Sequence, residues 1–328
     1  MAQVFAAKFS GGELRFRHQD RFRTVLFLVI ASLVLLDLVP FAQRYLGWGT
    51  RAETRAVRSE VQFLQRSAGQ NRVLPLEYLL APNTALSLGL ETVTGYISVD
   101  FGSFRRLWGR IGIDDDGHAM IMPRLPTEPA ARRALEIMGA RFILSPRPLD
   151  AKDLVLVFHD RDYVYEDRAA QPRAKLYARW TVCPDEPTAL ETLLDPARDA
   201  RDVAVIEESA TQRAPQASRV ARPGQCEIVA ADPDHLVVQV QAEATQLLFV
   251  ANRLVEGWTA TLDGEPAALV PANHSFQGVF VPAGLHRVVL TYGFPSTTWG
   301  IRLNLALSAS IFLALALGAT QRARYPRD

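Results

Sequence analysis

The sequence predicts an α+β fold, with a mixed α/β subdomain followed by an antiparallel β-sandwich and a transmembrane helix on either flank. Three observations lead there. Apolar runs lie near both ends, from Thr24 to Ala42 and from Trp299 to Thr320. Between them, helix-like and strand-like patterns alternate as far as residue 208. After residue 225 only short strand-like runs follow, separated by turn residues.

The first run, TVLFLVIASLVLLDLVPFA, is broken only by Ser32, Asp37 and Pro40. About 18 residues at about 1.5 Å each give about 27 Å, close to the hydrocarbon thickness of a bilayer. A core helix at a domain surface needs a polar face, and Leu26 to Leu36 offers only Ser32. A cleaved signal peptide fits the basic lead of Arg15, Arg17, Arg21 and Arg23, but the apolar stretch is too long and no small-x-small site follows cleanly. Arg322, Arg324 and Arg327 trail the second run, which puts both termini in the cytoplasm and the middle outside. The expected organisation is therefore a cytoplasmic tail (1–23), a span (24–42), an extracytoplasmic α/β subdomain (43–208), a linker (209–225), a β-sandwich (226–297), a span (299–320) and a second tail (321–328). Asp37 sits about 7 to 8 Å below the outer interface, where pairing with Arg302 or Asn304 offsets the cost of a carboxylate in lipid.

Within the exported part, residues 51–70 pattern as an amphipathic helix stopped by Gly69. Thr127, Glu128 and Pro129 mark another helix start, and Gly139 its stop. Strands fit Arg141–Leu144, the hairpin Leu154–Phe158 with Tyr163–Tyr165, Lys175–Val182 and Val203–Ile206, with a short helix over Pro187–Leu194. Residues 209–225 are polar and carry Pro215 and Pro223, which suits a linker. Seven short strands are expected beyond it, with Asp263-Gly264 as a hairpin turn.

Chemistry is sparse. A net charge of +1 gives no basic field for nucleic acid. The six histidines are scattered, without metal-ligand spacing, so neither metal nor cofactor is expected. Asp114-Asp115-Asp116 suggests a divalent ion beside a sugar-nucleotide phosphate, and hence an enzyme in its own right; a solvated loop is the simpler reading, because Gly117 follows and no nucleotide-binding pattern precedes. Trp258, Asn273, His274 and Tyr292 are candidates for a sugar-stacking groove, against core packing and turn hydrogen bonds. The two cysteines, Cys183 and Cys226, enclose the linker, and an oxidising compartment permits a bond between them; two unpaired thiols are the alternative.

The stretch LLFVANRLVEGWTATLDGEPAALVPANHSFQGVFVPAGLHRVVLTYGFPS, followed at once by an apolar run, resembles the C-terminal end of bacterial YfhO-type membrane proteins. Gly257-Trp258, Asp263-Gly264, Ala272-Asn273, Pro282-Ala283-Gly284 and Tyr292 carry the resemblance there. Pro82-Asn83, Gly95-Tyr96, Met138 to Phe142, Tyr165-Glu166 and Pro172-Arg173-Ala174 carry it upstream. It implies a place in the bacterial cytoplasmic membrane beside multi-span glycosyltransferases of the GT-C type, which draw sugars from polyprenyl-phosphate carriers. With two apolar runs, this chain lacks the helical region that bears the family's catalytic acids. The resemblance therefore implies a non-catalytic module that binds glycan or a partner in cell-envelope glycosylation, with a purely structural envelope protein as a third reading.

Overall fold

A computed structural model describes residues 58–77, 79–80, 84–94, 102–110, 124–208, 222–294 and 299–310. From Ser59 onward these belong to one compact unit of α+β architecture with three β-sheets. Its helices are α1 (Ser59–Ser67), α2 (Thr84–Ser87), α3 (Gly102–Arg110), α4 (Pro129–Ile137) and α5 (Glu186–Leu194). The expected start at Thr127 shifts by one residue. Glu128 is the N-cap of α4, Pro129 opens the helix, and Gly139 at φ +75° ends it. Asp185 caps α5 by accepting the Thr188 N–H at 2.8 Å.

The first sheet joins β1 (Arg72–Pro75), β2 (Ala140–Ser145), β3 (Leu154–His159) and β4 (Tyr163–Asp167) in the order β1-β2-β4-β3, with β1 parallel to β2. The single strand expected over Lys175–Val182 is two, β5 (Ala174–Tyr177) and β6 (Arg179–Cys183), separated by Ala178. β7 (Val203–Glu207) pairs parallel with β6. Beyond the linker come β8 (Gln225–Asp232), β9 (His235–Ala242), β10 (Gln246–Arg253), β11 (Trp258–Leu262), β12 (Glu265–Ala267), β13 (Val270–Ala272), β14 (Phe276–Val281) and β15 (Gly284–Tyr292). Asp263 and Gly264 both have positive φ (54° and 93°) between β11 and β12, as a two-residue hairpin that follows strand twist requires.

The sheets are compatible with the expected β-sandwich, but strands from before residue 209 share in it. β12-β11-β15-β9-β8 make an antiparallel sheet, while β10, β13 and β14 join β5, β6 and β7 in the order β5-β10-β14-β13-β7-β6. Strands from before and after the expected linker at 209–225 thus share one sheet, and residues 209–221 lie outside the described set.

The six-stranded sheet must curl. Its edge strands β5 and β6 are joined by Ala178 alone, so their ends are about 7 Å apart, whereas six flat strands span about 24 Å. Trp180 of β6 accordingly meets Phe280 of β14, with ring centroids 5.2 Å apart. Alternation along β10 then serves two cores. Leu248 and Val250 face the five-stranded sheet with Leu236, Val238 and Leu290, while Leu247 and Phe249 face the helices with Leu135, Leu190 and Trp108.

No helix among the described residues is long and apolar enough to cross a membrane. The first apolar run lies outside those residues, as does the second beyond Ser310. Residues 299–310 are helical, and Ile301, Leu303, Leu305 and Leu307 are between 56% and 64% exposed. Arg302 stacks over Trp299 at 5.6 Å; its expected partner Asp37 lies outside the described residues.

Candidate functional site

The two strand irregularities nearest the seam of the three sheets build a groove. β10 and β14 are in register to Val250↔Gln277, and then Arg253 faces Phe276, so β10 carries extra residues at Ala251 and Asn252. β1 and β2 shift register between Arg72 and Val73. Such bulges re-aim side chains. Here they bring Arg72 of β1, the Ala251–Arg253 bulge, and Arg173, which immediately precedes β5, to one place.

The contacts are dense. Arg72 donates through Nη1 to the carbonyls of Met138 (3.1 Å) and Ala251, and through Nη2 to Asn252 Oδ1 at 2.9 Å. Arg173 reaches the same Oδ1 through Nε (3.2 Å) and Nη2 (3.1 Å), and donates through Nη1 to Glu91 Oε1 at 3.1 Å. Arg253 lies over the Phe104 ring of α3, 4.2 Å from its centroid. Burial, with Arg173 and Arg253 adding to it, pushes Arg72 down to about 9 against the pull of Glu91, so the guanidinium stays charged at neutral pH. Together these residues line a cavity of about 430 Å³, within the range of small-ligand sites.

Trp258 and Tyr292 line the same groove. They are direct cross-strand partners on β11 and β15, with ring centroids 5.3 Å apart, and Phe294 extends the row 5.6 Å beyond Tyr292. Gly257 makes the wall possible: it sits at φ +100°, and a Cβ there would come within 2.9 Å of the Tyr292 ring.

Of the four expected glycan-contacting residues, only Trp258 and Tyr292 line the groove. Asn273 and His274 are buried in the β13–β14 turn at φ 46° and 77°. Asn273 accepts from the Val205 amide at 2.9 Å and donates to the Tyr177 hydroxyl at 3.3 Å, so it is a turn residue. His274 donates through Nε2 to the Ser103 carbonyl at 2.8 Å, pinning the start of α3. Glu186 lies 3.2 Å from the same Nε2, yet burial outweighs it and lowers the His274 pKa, leaving the ring neutral.

Of the two readings of Cys183 and Cys226, bonded or unpaired, the structure has the second: both thiols are free. Cys183 ends β6 with Sγ 3.5 Å from the Thr192 hydroxyl, whereas Cys226 lies against Leu176 of β5. Burial pushes the Cys226 thiol up to about 11. Asp114 to Asp116 lie outside the described residues, among which no cluster of His, Cys, Asp and Glu has metal-holding geometry.

The arginines were missed because residues 72, 173 and 253 have no linear relation. Arg173 lies in Pro172-Arg173-Ala174, which marks the resemblance but carries no role of its own. Comparisons with protein families, with curated proteins and with solved structures find no match.

Proposed function

We propose that this chain is a non-catalytic, membrane-anchored extracytoplasmic module that binds glycan in the groove beneath Trp258 and Tyr292. In this reading it is similar to the terminal domain of YfhO-type proteins and serves a GT-C-like glycosyltransferase of the cell envelope. The observation that carries the reading is the paired aromatic wall over a cavity of about 430 Å³ that also holds polar side chains, the combination that sugar rings require. Anchoring is supported by the two apolar runs and by the exposure of Ile301, Leu303, Leu305 and Leu307 on successive faces of their helix. Chain length adds a constraint. Tyr292 precedes Trp299 by seven residues, which reach at most about 24 Å. The groove therefore lies within that distance of the start of the second span, where the glycan of a polyprenyl-linked carrier is presented.

Affinity electrophoresis of the full chain through immobilised envelope polysaccharide tests this. Retardation by the glycan, lost in Trp258→Ala, is the expected result; equal retardation of both proteins, or none, overturns it. A reporter fused at Ala210 should be active only when its enzyme depends on export, and activity of a cytoplasm-dependent reporter there contradicts the topology.

A further inference from the structure

We infer that Glu91 selects the glycan: a free sugar hydroxyl donates to its Oε2, so the groove takes a sugar that carries no acyl or alkyl group at that position. This rests on the glycan-binding reading above and names the residue and the ligand group that decide specificity.

The supply of acceptors is the reason. A sugar hydroxyl that leaves water needs a new acceptor for its proton, and the acceptors beside the arginines are already used. The Met138 and Ala251 carbonyls accept from Arg72, and Asn252 Oδ1 accepts from Arg72 and twice from Arg173. Glu91 carries the one carboxylate among the described lining residues. Its Oε1 accepts from Arg173 Nη1 at 3.1 Å, while Oε2 has no partner among the described residues. The Glu91 side chain is 40% exposed against 6% for Arg173, so it is anchored on a buried group and still open to a ligand.

The carboxylate is also held in place. Val73 donates its amide to the Glu91 carbonyl at 2.8 Å, and Thr92 forms a parallel bridge with Val73, which fixes Glu91 alongside β1. Arg173, which grips Oε1, is itself tied to Asn252. An ionised carboxylate only accepts, and one oriented by a buried guanidinium is a prepared acceptor. Hydrogen bonds to such a charged group are about twice as strong as those between neutral groups. A methylated or acylated oxygen brings no proton and covers Oε2 unpaired. Trp258 and Tyr292 line the same cavity and give a ring apolar contact whether or not its hydroxyls are substituted.

Isothermal titration of the full chain in detergent decides the point with two probes, the neutral oligosaccharide fraction released from envelope polysaccharide and the same fraction fully O-methylated. The wild type should bind the native fraction at least about tenfold more tightly than the methylated one. Glu91→Gln keeps an oxygen for Arg173 but replaces the second oxygen by a donor, and should cut that ratio by about tenfold. Glu91→Asp, which withdraws the carboxylate by one methylene, should also lower it and keeps the test open if Glu91→Gln does not fold. A Glu91 that only pairs with Arg173 would change stability and leave the ratio alone. A wild-type ratio in a folded variant, or equal affinity of the wild type for both fractions, overturns the inference while sparing the glycan reading. Binding of neither fraction by the wild type overturns both.

Discussion

Two arginine-lined grooves on this molecule handle charge in opposite ways. The larger, of about 850 Å³, lies between α4 and the loop after α5. There Arg132 pairs with Asp153 and Asp167, and Arg201 pairs with Glu136 at 3.0 Å. Arg133 is spent on the carbonyls of Asp195 and Arg198. In the smaller groove, Arg72 and Arg173 converge on one amide oxygen. The same side chain is consequently pushed in opposite directions: Glu136 raises the Arg201 pKa, and burial beside two other guanidiniums lowers that of Arg72. Cavity size is thus a poor guide to function here. The larger groove is a brace between elements held by ion pairs, whereas in the smaller one Arg72 and Arg173 meet on a neutral amide oxygen.

The largest expected effect comes from breaking the brace. Asp167 is 2% exposed, so Arg132→Met strands a buried carboxylate and should cost about 3 to 5 kcal/mol of unfolding free energy. Arg173→Met should cost no more than about half of that, because Glu91 can hydrate and Asn252 keeps Arg72. Denaturant unfolding of both full-length variants checks this, and equal losses would break the comparison.

A smaller effect is expected at the aromatic wall. Gly257→Ala forces an L-residue into φ +100° and a Cβ against the Tyr292 ring, at about 1 to 3 kcal/mol. It should weaken sugar binding while leaving the larger groove's ion pairs intact. Unchanged stability and binding would mean that the wall does not depend on this turn.

The smallest effect is a matter of pH. His274 is neutral in the fold because burial lowers its pKa below about 6.5, the unfolded value. The unfolded chain therefore takes up this proton first, and stability is fully present above about pH 6.5 and declines as pH falls below it. His274→Gln, which can still donate to Ser103, should flatten that part of the acid limb despite Glu186 and Arg106 nearby. An unaltered limb in the variant would show that other groups carry it.

Local periodicity made the elements legible, and long-range closure hid the assembly. The strand pattern of Leu236–Ala242 and the Asp263-Gly264 turn needed only their neighbours to be read. Nothing adjacent to Ala178 signals that β5 and β6 close opposite edges of a sheet, and this closure also carries strands across the expected boundary at 209–225. The site divides in the same way. Trp258 and Tyr292 stand out because the chain has only 5 tryptophans and 8 tyrosines, whereas Arg72, Arg173 and Arg253 are three of 36 basic residues until the β10 bulge gathers them. Asn273 and His274 looked like ligand contacts because Asn and His serve both purposes; their left-handed backbone commits them to the turn.

Thermal unfolding of the full chain titrated with an envelope-derived oligosaccharide at fixed ionic strength tests the groove most directly. A ligand that binds only the folded state raises the midpoint as its concentration exceeds Kd. The wild type and Arg132→Met should both climb, the latter from a lower start, and Trp258→Ala should stay flat. A flat wild type, or an equal climb in Trp258→Ala, would contradict the account.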